Sequence, residues 1–220
     1  MTQAVEYQTD TSDMLIPHAM FRTSLASAGR IVAGASRGDA EQTAMVASYL
    51  DNVLRFLDAH HEGEDAVVWP VLAVRSRAAA ELLARMQGQH AAIHELREKA
   101  GAALTAWTAS GSQEDGRELA SALQGLAAEI DIHFGEEEAE ILPVASRNMS
   151  PQEWGQLPGH AMQHFTGDKI WLILGLVFEQ MTPEQLAVTL QHLPPPVVQM
   201  WDTTGRATFE EFIARVRATA

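Results

Sequence analysis

HHEGEDAVVWP at residues 60–70 and HFGEEEAEILP at residues 133–143 decide how this chain is read. They share one pattern: His60-x3-Glu64-Asp65-x4-Pro70 against His133-x3-Glu137-Glu138-x4-Pro143. Four residues make about one helical turn, so each His and its Glu project from one face of a helix. Around the second copy, Leu119, Leu123, Leu126, Ile130 and Ile141 fall on that face, which sets His133 and Glu137 in the middle of an apolar stripe. Around the first copy, Met45, Val53, Phe56 and Val67 do the same for His60 and Glu64. The echo selects Glu137 over Glu138, because Glu137 is the counterpart of Glu64. Each Pro is expected to end its helix just beyond the His–Glu turn.

A buried carboxylate without a partner is costly. Two of them, each one turn from a buried His, call for a joint explanation, and a metal supplies it, since divalent iron accepts imidazole and carboxylate together. His90 and His94 form a third pair at the same spacing, at one edge of a stripe made by Leu82, Met86, Ile93 and Leu104. His18 adds a single inward imidazole, on a face shared with Phe21, Leu25, Ala28 and Val32.

Outward from these motifs, apolar residues recur at helical spacing and no alternating stretch stands out. Breaks at Gly34–Asp39, Arg75–Arg77, Ser110–Gly116 and Ser146–Pro151 leave helical segments at about 14–34, 41–73, 78–109 and 117–142. Short links between long helices predict an all-α, up-down-up-down four-helix bundle. The expected organisation is a tail (1–13), the bundle (14–147) and a helical C-terminal extension packed on it (148–220). Three helix starts in the extension are read from Ser150-Pro151-Gln152-Glu153, Thr182-Pro183-Glu184-Gln185 and Thr208-Phe209-Glu210-Glu211. Pro194-Pro195-Pro196 forces a break, and Trp154, Trp171 and Trp201 indicate packed structure.

Composition narrows the chemistry. The 220 residues hold 29 Asp+Glu against 15 Lys+Arg, a net charge of −14, which argues against nucleic-acid or membrane partners. There is no Cys, so disulfides, thiolate metal sites and thiol catalysis are excluded. The polar N-terminus does not read as a signal peptide, and Ile170–Phe178 is too short to cross a bilayer, so a cytoplasmic location is expected. Nine His in such a chain leave imidazole and carboxylate to hold any cofactor.

On His18, HHEGEDAVVWP (60–70), QHAAIHEL (89–96) and HFGEEEAEILP (133–143), the chain resembles the hemerythrin family of HHE cation-binding domains, over about residues 14–145. The resemblance implies a four-helix bundle around two iron ions, an oxo- or hydroxo-bridged non-haem diiron centre with five His and two carboxylates. It assigns His90, His94 and His133 to one iron and His18 and His60 to the other, with Glu64 and Glu137 bridging. The second iron keeps an open position for O2. Within the family the last carboxylate can sit five residues after its His, which would make Glu138 the ligand. Manganese or zinc can fill such sets in a given preparation.

The function expected is binding of O2, or sensing of O2, NO or iron. The alternative is a diiron oxidase or oxygenase acting on a small organic substrate, with the extension closing the pocket. A third class is a regulatory protein whose C-terminal helices dock a partner. No Glu has a His three residues later, which disfavours the ferritin-like template. His61 lies off the His60 stripe and reads as a neighbour of the ligands or as surface. His160 and His164 are read as polar residues of an extra helix or as groups gating the metal site, and His192 as structural.

Overall fold

The computed structural model describes residues 7–35 and 39–220. Residues 1–6 of the expected tail and 36–38 of the expected break lie outside the described residues. The bundle is built from α1 (Leu15–Ala35), α2 (Ala40–Gly63), α4 (Ala80–Ser110) and α5 (Gln113–Glu136), with α3 (Trp69–Arg75) and α6 (Leu142–Asn148) continuing α2 and α5. Among the described residues there is no strand. α1 packs on α2 and α5, and α4 on α2 and α5, which closes the ring. The contacts run in opposite senses along paired helices. His18 meets Glu138 while Gly29 faces Ala120, and Asp58 pairs with Arg97 while Asp65 pairs with His90.

Caps and spacing explain these helices. Asp39 caps α2 by accepting from the Gln42 amide, and Ser112 caps α5 by accepting from Asp115. Gly111, at φ +62°, ends α4 in the left-handed conformation that a residue without Cβ adopts freely, so α5 can start two residues later. The inward residues follow alternating steps of three and four. They are His18, Phe21, Leu25, Ala28, Val32 and Ala35 on α1, and Gly116, Leu119, Leu123, Leu126, Ile130, His133 and Glu137 on α5, all buried. That 3.5-residue repeat is the packing seam of a helical bundle.

The two prolines do not end their helices. Pro70 and Pro143 lack the N–H that would close a turn onto Ala66 and Ala139, and their rings crowd those carbonyls. Each helix widens into one π turn, Glu64–Val68 and Glu137–Ile141, with Trp69 N–H bonding Glu64 O and Leu142 N–H bonding Glu137 O. The helix then resumes as α3 or α6. Both π turns begin at a motif carboxylate, a placement frequent at functional sites.

The extension comprises α7 (Pro151–Trp154), α8 (Leu157–His164), α9 (Ile170–Phe178), α10 (Pro183–His192), α11 (Pro195–Met200) and α12 (Arg206–Arg217). Ser150 and Thr182 form the expected capping boxes. Thr208 does not start a helix. The chain runs from Pro195 through a third π turn, Trp201–Gly205, into α12, and the Thr208 hydroxyl bonds back to Thr204 O inside it. α8 and α9 lie on α2, and α9 also touches α1 and α12. Leu172, Ile173, Trp201 and Phe209 share one core with Phe21, Leu50 and Phe56. α2 is therefore buried on two sides. A Cβ on Gly175 would sit 2.3 Å from the Phe209 ring, so this close approach of α9 and α12 requires glycine. No helix among the described residues is long and apolar enough to cross a membrane.

Candidate metal centre

The inward stripes of α1, α2, α4 and α5 meet at a buried cluster. His18, His60, His61, Glu64, His90, His133 and Glu137 are all buried. Two groups of donor atoms lie within 4.8 Å of one another: His61, Glu64, His90 and His133, and His18, His60 and Glu64. Glu64 belongs to both, with Oε1 3.2 Å from His60 Nε2 and Oε2 3.3 Å from His90 Nε2. Glu137 also touches one member of each group, its Oε2 lying 3.3 Å from His18 Nε2 and 3.9 Å from His133 Nε2.

His90 Nε2 and His133 Nε2 lie 3.2 Å apart and share a hydrogen bond, but most of the other inward atoms are close without being hydrogen-bonded. His18 Nε2, His60 Nε2, His61 Nε2, both oxygens of Glu64 and Oε2 of Glu137 are buried with no hydrogen-bond partner. Left so, each carries a desolvation penalty. Their outer sides are the reverse. His18 Nδ1 donates to Glu138 Oε1 at 2.9 Å, His90 Nδ1 to Asp65 Oδ1 at 3.0 Å and His133 Nδ1 to Gln89 Oε1 at 3.1 Å. An outward N–H on Nδ1 fixes the tautomer that leaves the Nε2 lone pair facing inward, as metal-bound imidazoles require. Glu138 is in turn held by Arg22 at 2.6 Å. It sits behind His18, whereas Glu137 faces the cluster.

The charges of the protein groups alone are poorly matched. Burial, with repulsion from Glu137, pushes Glu64 up to about 8. Burial and neighbouring histidines drive His60 and His61 well below the usual imidazole range, and burial takes His133 down to about 3. His18 and His90 rise to about 9. Burial opposes this, but the adjacent carboxylates, Glu137 and Glu138 for His18 and Asp65 and Glu64 for His90, prevail. For Glu137, burial is outweighed by His18, which lowers its pKa. Crowded imidazoles beside inward carboxylates are the donor chemistry of a cation site, and the orphaned inward atoms fit one.

Two expectations exchange places. His94 is exposed and does not join the cluster. The α4 stripe runs Leu83, Met86, His90, Ile93, Ala100, Leu104 and Trp107, and His94 follows Ile93 by about 100°, toward solvent. His61 takes its place, its ring stacked on His90 with centroids 4.3 Å apart. On α2 the inward stripe is Leu50, Leu54, Leu57, His61, Glu64 and Val68, while Val53, Phe56 and His60 form a second stripe beside it. His160 and His164 do not reach the cluster either. They stack on each other at 4.1 Å along the outside of α2, with His160 over Gly63 and His164 4.0 Å from Glu62. His192 is exposed and bonds to the carbonyl of Val188 in its own helix. Tyr49 and Met20 are core residues.

Residues 10–145 match the profile of the hemerythrin HHE cation binding domain. No curated protein and no solved structure matches the chain.

Proposed function

Because the chain belongs to the hemerythrin HHE cation-binding domain family, we propose that it is a non-haem diiron protein that binds O2 or a related diatomic such as NO. The observation that carries this reading is that Glu64 is shared by two donor groups and Glu137 touches both. His61, His90 and His133 would hold one iron and His18 and His60 the other, with the two carboxylates between them. When bound, the iron pair would supply reversible redox chemistry toward a small diatomic.

The chain's own residues set the conditions for that chemistry. Glu138, Asp65 and Gln89 hold the imidazoles in one orientation. Phe134 stacks on His18 with centroids 3.8 Å apart, and Phe21 lies 5.4 Å from His60, so apolar rings exclude water there. The second group has two imidazoles where the first has three, which leaves it the fewer protein donors. Residues 148–220 form an appended unit, and an acidic chain without Cys suits the cytoplasm.

Reconstitution with ferrous iron under argon tests the reading. Two irons per chain and an absorbance change on admitting O2 are expected, and saturation at one metal would refute it. A second reading, O2-dependent oxidation of a small organic substrate, is favoured by an apolar cavity that reaches His60. Oxygen uptake that depends on an added substrate would distinguish it.

A further inference from the structure

A cavity of about 230 Å³ lies between the bundle and the extension. Met14 lies just before α1, the start of α1 supplies Ile16 and Pro17, α2 supplies Phe56 and His60, α8 supplies Ala161 and Met162, and Met181 follows α9. Most of the wall comes from beyond residue 148, so the space exists only because the extension is seated on α2. α8 divides its faces. Ala161 and Met162 look into the cavity, while His160 and His164 run along the outside of α2.

Three features define an occupant. The lining is apolar apart from Asp13, His60 and Thr189, and the Asp13 carboxylate already accepts from Trp154 Nε1 at 2.8 Å. An anionic ligand would therefore lose its hydration and face a carboxylate, and a cation would meet only that one countercharge in an otherwise apolar wall. An apolar cavity of about 150 Å³ takes up benzene, so this one suits about nine or ten non-hydrogen atoms. Methionines on two sides give the wall an adaptable surface. At the inner end stands His60. His18, His90 and His133 turn their outer nitrogens to protein acceptors, whereas His60 Nδ1 has no hydrogen bond among the described residues and its ring borders the cavity.

We propose that this cavity is a binding site for a small, neutral, largely apolar organic molecule of about ten non-hydrogen atoms, seated against His60. Its adjacency to a metal pair rests on the reading above; the binding does not.

Naphthalene, with ten carbons, is the probe, and 1-naphthoate is its charged counterpart. The full chain, labelled with [methyl-13C]methionine, is titrated in metal-free and zinc-loaded form. Naphthalene is expected to shift the methyls of Met14, Met162 and Met181 saturably, leaving Met45 and Met86 unmoved. Ala161→Phe, which fills the space, should weaken binding at least tenfold. Met162→Trp is a second filling variant should the first fail to fold. 1-Naphthoate should bind at least tenfold more weakly.

No saturable shift in the wild-type protein overturns the proposal, as does unchanged affinity in both variants. Equal binding of 1-naphthoate overturns the assignment to neutral ligands. Metal content measured on the same samples separates the two readings. Naphthalene binding without two metals defeats the diiron reading alone, and two metals without naphthalene binding defeat the cavity site alone. In cobalt-loaded protein, bound naphthalene protons should relax faster than in zinc-loaded protein, and equal rates would refute the placement against His60.

Discussion

Replacing His61 and His94 separately by Ala discriminates the two ligand sets, because the motif spacing favours one and the packing the other. A cation bound to the native state only, at a free concentration 100 times its Kd, stabilises it by about 2.7 kcal/mol. In a chain of this size that raises Tm by about 5–11 °C for each cation. His61 is 9% exposed with an orphaned inward Nε2, and it supplies one of three imidazoles in its group. Its loss should cost more than the roughly 10–100-fold that follows loss of a hydrogen-bonding partner behind a ligand. A 100-fold loss at the same free metal leaves RT ln 2, about 0.4 kcal/mol, and an increment under about 2 °C. His94 is exposed, and its replacement should stay within about 0.5 kcal/mol. The assay is calorimetry of metal-free and zinc-loaded protein, read as the difference so that packing losses common to both forms cancel, with metal counted in parallel. His61→Ala should lose one metal and one increment, and His94→Ala neither. If His94→Ala loses the metal and His61→Ala keeps it, the packing argument fails.

Glu137→Ala should abolish paired binding, whereas Glu138→Ala, which removes only the acceptor behind His18, should retain both metals with affinity lower by about 10–100-fold in chelator competition. The metal-free protein should lose stability from pH 7 to 9. His18 and His90, raised to about 9, and Glu64, raised to about 8, hold protons there that the unfolded chain has released, and this contribution disappears as pH passes their folded values. Metal competes with those protons, so the metal-induced rise in Tm should grow over the same range, and a flat or shrinking rise would count against the assignment. Gly34→Ala would place a Cβ 1.5 Å from the Thr219 carbonyl and displace the chain end whose Thr219 hydroxyl bonds Ile31 O, costing about 1–3 kcal/mol by thermal melting with metal content unchanged.

The long helices were legible because their apolar residues repeat over many turns, and the structure's boundaries fall within a few residues of those read from the sequence for α1, α4 and the run from α2 through α3. The site was legible on α5, where a single stripe carries His133 and Glu137. On the other two motif helices the buried cluster departs from the set read in the sequence, for separate physical reasons. α4 follows a 3.5-residue seam, and a wheel drawn at 100° per residue drifts about 20° per heptad, so over a helix of 31 residues the stripe smears and His94 is drawn to its edge. α2 is apolar on two sides because the extension covers one of them, and periodicity alone does not say which side faces the bundle. The steps Leu50, Leu54, Leu57, His61, Glu64 and Val68 held that answer, being the same seam as on α5. The π turns were hidden for a third reason. A proline in a helical pattern ordinarily signals an end, yet here the widened turn lets the chain continue while Glu64 and Glu137 stay on the inward face. The cavity had no local signal at all, since the bundle residues that wall it, up to His60, are far in sequence from those of the extension, which begin at Trp154. It follows from the second apolar stripe of α2, the one that carries Phe56 and His60: the stripe that hid His61's place in the cluster is the one on which the extension is seated.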